Sequence, residues 1–170
     1  MSEKKIIFEE FYRDYAGKLY SVAFRMVNNK QDAMDIVHES FIRAYKSWGK
    51  FRQESAVSTW LYRITLNLSL DFLRKRSKNG CLPIEKDFED DRLYFGEQDI
   101  INSDMANIIK REVEGLTPKQ KKVFILKCYE EFTYKEIAGI TNSRIGTVKA
   151  TYFQAVQKIK KNLGGKKNVM

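Results

Sequence analysis

Residues 133–163 read TYKEIAGITNSRIGTVKATYFQAVQKIKKNL, a stretch with two helical patterns on either side of a short turn. Thr133 and Glu136 have the spacing of a capping box, in which the threonine hydroxyl accepts from the glutamate amide and the carboxylate accepts from the threonine amide. A short helix is expected to begin there, with a turn near 141–143 and a long helix to about Leu163. This order of elements is typical of a helix-turn-helix.

The long helix divides into an apolar and a polar face. Its apolar side chains recur at steps of three and four, which predicts packing on the preceding helices; they are Val148, Tyr152, Ala155, Ile159 and Leu163. The other face contains Arg144, Lys149, Ala150, Phe153, Gln154 and Gln157. A solvated face would explain the polar residues, but the aromatic Phe153 favours a partner such as a thymine methyl group in a DNA major groove. The lysines that follow, Lys158, Lys160 and Lys161, suit phosphate contacts.

The rest of the chain also has helical periodicity. Pro83 and Pro118 fall where this periodicity breaks, and no segment shows sustained alternation of apolar and polar residues. Further helices are predicted over about 5–27, from Asn29 to near Gly49, from a cap at Ser58 or Thr59 to about Arg76, over about 105–113, and from the Thr117-Pro118 start signal. The sequence therefore predicts an all-α fold.

Charge divides the chain into three segments. Residues 1–80 contain fifteen Lys and Arg against nine Asp and Glu, residues 81–104 two against eight, and residues 105–170 fourteen against five. We therefore expect two small helical domains, 1–80 and 105–170, joined by an acidic and flexible linker over 81–104. Two basic domains and a pI near 9.4 favour a nucleic acid as partner, with an acidic membrane surface as the alternative.

Composition argues against several other classes of protein. No stretch approaches the roughly 18 consecutive apolar residues of a membrane span, and the N-terminus lacks the apolar core of a signal peptide, so we expect a cytoplasmic protein. Two cysteines and one histidine cannot form a Cys/His zinc site, and we expect neither a metal nor another cofactor. Cys128 follows the apolar run 123–126 and is expected to be a buried thiol.

Three acidic residues of the second helix, Asp32, Asp35 and Glu39, lie at spacings of three and four and so share one stripe. As catalysts they would need a companion nucleophile, metal-binding histidines or a glycine-rich phosphate loop, which they lack. We therefore expect no catalytic residues and no enzyme activity. A face for a partner protein is the better interpretation of this stripe.

The third helix and the loop before it form the other candidate site. Arg63, Asn67 and Arg74 lie near one stripe of this helix, and the side chains expected to face inward are Leu61, Ile64, Leu68 and Phe72. Asparagine is unfavourable within a helix, so Asn67 either bonds a neighbouring element or faces a ligand. The loop over 51–57 combines one aromatic residue with small and polar ones, which suits a pocket for an unstacked base.

These segments together resemble the extracytoplasmic-function group of bacterial RNA polymerase sigma factors. Residues 32–45, DAMDIVHESFIRAY, are similar to the helix with which the family binds the largest polymerase subunit. Residues 59–67, TWLYRITLN, with Asp71 and 74–76, RKR, resemble its segment for the minus-ten promoter element. Its helix-turn-helix for the minus-thirty-five element is matched by LTPKQ at 116–120, YKEIA at 134–138 and GTVK at 146–149. The resemblance covers about 5–78 and 105–163, in family order.

The resemblance implies a transcription initiation factor that binds core RNA polymerase and promoter DNA through a region 2-like domain over 1–80 and a region 4-like domain over 105–170. The residues that carry over to the polymerase face are Asp35, Glu39 and Phe41, beside Asp32. Those that carry over to the base pocket and its flank are Phe51, Ser55, Ala56, Arg63 and Asn67. Those that carry over to the upstream reading face are Lys149, Ala150, Phe153 and Gln154. The chain departs from the usual glutamine, glycine and arginine of the family at His38, Gln53 and Gln154.

Two other classes of protein remain as alternatives at the level of sequence. A stand-alone helix-turn-helix regulator would need no polymerase face and would usually dimerise on a palindrome. A helical protein of membrane surfaces would use its basic domains on lipid headgroups. The sigma-factor interpretation instead predicts a chain that is monomeric when free, and it leaves open an anti-sigma factor as a further partner.

Overall fold

The computed structural model describes residues 3–52, 54–80 and 103–167, which fall into two compact units. These residues form seven α-helices and one turn of 3-10 helix and contain no strand, so the prediction of an all-α fold with two helical units is confirmed. The acidic linker predicted over 81–104 lies almost entirely outside the described residues, and its flexibility and bounds stay predictions.

The first unit packs three helices around one core. They are α1 (Glu3–Val27), α2 (Lys30–Ser47) and α3 (Val57–Lys78), and the 3-10 turn Trp48–Lys50 follows α2. The side chains of Leu19, Val22, Met26 and Leu61 are almost completely buried at the centre. Between α1 and α2 the chain reverses through Asn28, which adopts the left-handed conformation with a φ of 53°. Asparagine tolerates that conformation better than most residues, which explains its place at this turn.

The start of α3 differs from the prediction. Neither Ser58 nor Thr59 caps this helix, because the helix already begins at Val57 and its N-cap residue, Ala56, makes no side-chain hydrogen bond. The two hydroxyl residues instead lie inside the first helical turn. The sequence therefore offers better cap residues than the one at which this helix begins.

The inward face of α3 also differs from the predicted stripe. Its buried residues are Leu61, Tyr62, Thr65, Leu66 and Ser69, whereas Ile64, Leu68 and Phe72 are only half-buried. Thr65 and Ser69 can lie in the core because their hydroxyls are satisfied there, which offsets the cost of burying them. The Thr65 hydroxyl lies 3.0 Å from the Ser40 hydroxyl of α2, and the Ser69 hydroxyl donates to the Thr65 carbonyl at 2.9 Å.

The second unit contains α4 (Ser103–Glu114), α5 (Pro118–Cys128), α6 (Tyr134–Thr141) and α7 (Ile145–Lys167). The predicted packing stripe of α7 is confirmed, since Ala155 and Ile159 are buried against Val113, Leu116 and Phe124 of the preceding segments. The helix continues four residues beyond the predicted end at Leu163.

The caps of the second unit follow the sequence signals closely. Thr117 caps α5, and Gln120 completes a capping box that the sequence analysis did not identify. The predicted box of α6 is present: the Glu136 amide donates to the Thr133 hydroxyl at 3.2 Å, and the Thr133 amide donates to the Glu136 carboxylate at 2.7 Å. Asn142, with a φ of 50°, ends α6 in the left-handed conformation and turns the chain towards α7.

The expectation of a buried thiol at Cys128 was wrong. Cys128 is the last residue of α5 and its side chain is exposed. The apolar run 123–126 is buried, but the helix rotates by about 100° per residue, so a position two residues further along the chain points away from the core.

The capping box of α6 gives a stability that should depend on pH. Its two hydrogen bonds to Thr133 lower the pKa of Glu136 below the usual value of 4.5, the backbone bond being the larger cause. The carboxylate therefore stabilises α6 above that pH, and this contribution is lost as the pH falls through the lowered pKa of the folded state. Removing the box by Thr133→Ala should destabilise the second unit by about 0.5–2 kcal/mol at neutral pH and by less at pH 3.

Hydrogen exchange of the α6 amides measures this difference within the second unit, and Glu10→Gln, in α1 of the first unit, supplies a control. An equal effect of Thr133→Ala at both pH values would contradict the role assigned to the Glu136 carboxylate.

Candidate nucleic-acid interface

The loop between the 3-10 turn and α3 encloses an open hollow of about 450 Å³. Its lining residues are Trp48, Phe51, Glu54, Ser55, Ala56 and Val57, so three predicted site residues, Phe51, Ser55 and Ala56, share one cavity. Trp48 also lines it, although the sequence analysis treated this residue only as part of the apolar side of α2. An aromatic wall next to small and polar side chains is the chemistry that an unstacked base requires.

An aromatic cluster fixes the wall of this hollow. The Phe51 ring is stacked on Trp60 of α3 with a centroid distance of 4.6 Å and on Trp48 with 5.5 Å. Trp48 in turn meets Phe8 and Phe11 of α1 edge to face at 5.4 and 5.6 Å. Each such aromatic pair contributes about 0.5–1.5 kcal/mol beyond the area that it buries. The loop is therefore attached to two helices before any ligand arrives.

The predicted flank of the pocket lies elsewhere on α3. Asn67 is exposed and does not line the hollow. It comes ten residues after Val57, which places it about 15 Å further along the helix axis. Arg63 is half-buried, and Arg74, near the C-terminal end, donates to Asp71 at 3.0 Å. The structure thus separates a hollow at the start of α3 from a polar strip along the helix.

The predicted reading face of α7 is open to solvent. Arg144, in the turn before the helix, is exposed, and so are Lys149, Ala150, Phe153 and Gln154. Phe153 is the most exposed large hydrophobic side chain of the described residues, at 63%. Lys158, which the sequence analysis considered suited to phosphate contacts, is exposed and donates to the Gly115 carbonyl at 2.7 Å, which ties α7 to the turn before α5.

Tyr134, at the start of α6, was missed by the sequence analysis as a site residue. Its ring lies 5.7 Å from the Lys149 ammonium and 5.0 Å from that of Lys127. Its neighbour Tyr152 lies edge to face at 6.0 Å. A hydrogen bond with Cys128, followed by burial, raises the pKa of Tyr152 to about 12, which keeps that phenol neutral. The sequence signals available for it were the aromatic residue directly after a capping threonine and the family resemblance of residues 134–138.

The acidic stripe of α2 forms a separate exposed face. Asp35 is exposed and accepts from the Gln31 side chain at 3.0 Å, and Glu39 is half-buried and pairs with Arg43 at 2.7 Å. Burial raises the pKa of Asp32, Arg76 opposes that rise, and Asp35 adds to it. One carboxylate oxygen of Asp32 is buried and has no hydrogen-bond partner among the described residues.

The structure does not place Phe41 on this face. Phe41 is 8% exposed and packs on Tyr12 of α1 with a ring distance of 5.0 Å, so it holds α2 in position instead of meeting solvent. Three other apolar side chains of α2 are exposed by 41–46%, and sequence reasoning missed them: Met34, Ile42 and Tyr45. Their spacing of eight and three residues on one helix was the signal that could have identified them.

Within the described ranges, no cluster of three or more His, Cys, Asp or Glu side chains could hold a metal ion. None of the helices in the described part of the chain has the length and apolar character needed to cross a bilayer.

Comparison with known proteins assigns a family to each unit. The Sigma-70 region 2 family matches residues 11–79, and the Sigma-70 region 4 family matches residues 106–159. The ECF RNA polymerase sigma factor SigW of Bacillus subtilis is 31% identical over 158 residues, covering 88% of this chain and 84% of that protein. This chain belongs to the ECF group of RNA polymerase sigma factors.

Other members of the group show the same extent of likeness. The ECF sigma-E factor of Haemophilus influenzae is 31% identical over 161 residues, covering 88% of this chain and 83% of that protein. Since these likenesses extend over both helical units, they favour a sigma factor over a stand-alone helix-turn-helix regulator. The function predicted from the sequence, a transcription initiation factor, is confirmed.

Solved structures share the fold. The sigma factor RpoE in complex with the anti-sigma factor NepR from Bartonella quintana has a TM-score of 0.74 and 21% identity, over 92% of this chain and 96% of that one. CnrH in complex with the cytosolic domain of CnrY has a TM-score of 0.70 and 17% identity, over 95% of this chain and 90% of that one. At these identities the likeness shows the fold alone.

Proposed function

We propose that this sigma factor binds core RNA polymerase through the exposed face of α2, captures an unpaired promoter base in the hollow before α3, and contacts upstream DNA through α7. The observation that carries the proposal is the aromatic-walled hollow, which opens beside the three-helix core of the first unit. It catalyses no reaction of its own in this proposal, and its place of action is the bacterial cytoplasm.

The face of α2 has the composition of a protein-binding surface. Charged side chains, Asp35 and Glu39, lie on the same helix as exposed apolar ones, Met34 and Ile42. Apolar side chains supply area to an interface, and charges around them set orientation and the rate of association. Asp32, half-buried on the same stripe, adds a third carboxylate to this face.

The hollow suits the melted strand because its wall is in place before the base arrives. Flipping a base out of the stack costs a few kcal/mol, which stacking and edge contacts in a pocket must offset. Stacking on an aromatic side chain returns about 1–3 kcal/mol per base. The half-buried rings of Trp48 and Phe51 offer such a surface, and the exposed Asn67 and Arg74 lie further along α3, where the strand could continue.

The exposed face of α7 suits the major groove. In a helix-turn-helix the N-terminal residues of the second helix contact base edges, and those of α7 include Lys149, Ala150, Phe153 and Gln154. Tyr134 holds the Lys149 ammonium within cation-π distance and so limits the directions in which that side chain points. Lys160, six residues after Gln154, is exposed and placed for phosphate.

Two further expectations belong to this proposal. RpoE and CnrH were each solved with a partner, an anti-sigma factor for RpoE and the cytosolic domain of CnrY for CnrH. By likeness of fold we propose an anti-sigma factor as a partner of this chain, which is otherwise monomeric when free. Run-off transcription with bacterial core polymerase and a promoter library tests the function as a whole, and dependence of transcripts on the added chain is the expected result.

The first prediction concerns the polymerase face. Reversing two charges by Asp35→Lys with Glu39→Lys should abolish association with core polymerase and leave thermal unfolding almost unchanged, because exposed substitutions alter stability by no more than about 0.5 kcal/mol. Pull-down of core polymerase measures the effect. The control Glu10→Lys with Asp14→Lys makes the same charge change at the same spacing on α1. Undiminished pull-down by the α2 variant would remove α2 from the interface.

The second prediction concerns the hollow. Ala56→Leu should fill it, while the backbone of Ala56, with a φ of −58° and a ψ of 146°, accepts any side chain. Permanganate reactivity of melted thymines should fall about 5- to 150-fold, since a lost stacked base costs about 1–3 kcal/mol. Footprinting of the upstream element should stay intact, and Ser77→Leu, exposed at the far end of α3, is the control. Full melting by Ala56→Leu would exclude the hollow as the capture site.

The third prediction separates two kinds of contact on α7. Lys160→Ala should weaken binding to all sequences alike and lower the salt slope by about one phosphate contact, because counterion release does not depend on sequence. Phe153→Ala or Gln154→Ala should instead cost roughly 1–3 kcal/mol on the preferred upstream element and little on random DNA. Salt titrations of holoenzyme on matched and scrambled duplexes distinguish them. Equal losses on both duplexes for Phe153→Ala and Gln154→Ala would show that this face does not read sequence.

A further inference from the structure

Glu54 is the one charged residue among the six that line the hollow before α3. Its carboxylate makes no salt bridge with the described residues, although the segment 1–80 has an excess of six positive charges. Glu54 is exposed to solvent and its carboxylate repels the phosphates of an approaching strand, so a base that enters the hollow comes into contact with an acceptor that is hydrated in the free protein.

The chemistry of the carboxylate limits what that contact can be. An ionised glutamate only accepts hydrogen bonds, whereas the Ser55 hydroxyl beside it both donates and accepts and so discriminates little. The remaining lining side chains are aromatic or aliphatic, and the one polar group among them, the indole N–H of Trp48, donates and cannot accept. Glu54 therefore determines which polar edge the hollow tolerates.

The four bases differ in what they offer such an acceptor. Adenine, cytosine and guanine each have an exocyclic amino group, whose hydrogens a carboxylate can accept. Thymine has no amino group, and its single ring N–H lies between two carbonyl oxygens that repel a carboxylate. A base that enters the hollow displaces water from the exposed Glu54 carboxylate, so a base edge without a donor leaves that carboxylate without a partner and is rejected.

We infer that Glu54 makes the hollow selective for an unpaired base with an exocyclic amino group and excludes thymine. This inference rests on the proposed capture of a base in the hollow, and it adds the chemical class of base and the residue that selects it. Glu54 acts in it as a specificity-determining residue, through a direct hydrogen bond to the base edge.

Binding of holoenzyme to fork-junction DNA tests the inference. The non-template strand of the fork carries adenine, cytosine, guanine or thymine at each unpaired position in turn, and the affinity is measured for all four. At one position wild-type holoenzyme should bind thymine roughly 10- to 100-fold more weakly than the amino-bearing bases, the ratio that one hydrogen bond to a charged group supplies.

Glu54→Gln is the informative variant, because an amide both donates and accepts and should accommodate thymine. It should raise the relative affinity for thymine at that position and leave the ratios at other positions unchanged. Glu10→Gln, an exposed glutamate of α1 outside the hollow, removes the same charge and should alter no ratio. The comparison separates a contact with the base edge from a general gain in attraction to DNA.

The possible outcomes are distinct. Two results would overturn the role of Glu54. One is equal affinity for the four bases at every position. The other is a Glu54→Gln variant that gains affinity for all bases alike, as a charge effect would produce. If Ala56→Leu still weakens fork binding in that case, base capture itself stands. If wild-type holoenzyme shows no preference for forks over duplex and Ala56→Leu changes nothing, the capture proposal fails as well.

Discussion

The contact between Phe51 and the rings of Trp48 and Trp60 holds the first unit's functional surface in place. These rings bring together the end of α2, the loop and the start of α3. Phe8 and Phe11 connect the cluster to α1 through their contacts with Trp48. A loop of small and polar residues has few apolar atoms of its own to bury. It keeps its shape because one aromatic residue within it belongs to a cluster that spans all three helices.

In the second unit, helix caps and one amphipathic helix hold the exposed face of α7 in position. Burial of Ala155 and Ile159 fixes the rotation of α7, and that rotation places Phe153 and Gln154 in solvent. The capping boxes at Thr117 and Thr133 set where α5 and α6 begin. Polar side chains then attach α7 to the preceding segments, with Lys158 on the Gly115 carbonyl and Asn162 on Glu112 at 2.7 Å each.

Sequence periodicity was least reliable on α3 and α2. A stripe drawn through apolar residues selected Ile64 and Leu68, whereas the core contains Thr65 and Ser69. Their burial is acceptable because the Thr65 hydroxyl meets a hydroxyl of α2 and the Ser69 hydroxyl donates to the Thr65 carbonyl. Phe41 was expected at a partner face and instead packs on α1. Asn67 was grouped with the loop, yet the length of the helix separates them. For Phe41 and Thr65 the deciding partner belongs to a different element.

The amino-acid sequence by itself determined the all-α class, the two helical units, the helix-turn-helix and the exposed face of α7, because capping signals and a period of 3.6 residues are local properties. Motif order also indicated the sigma-factor family. Only the tertiary structure decided that Trp48 joins the wall of the hollow, that Glu54 lies at it, that Cys128 is exposed and that Tyr134 approaches Lys149. These facts depend on how helices distant in sequence pack together, and no local pattern contains that information.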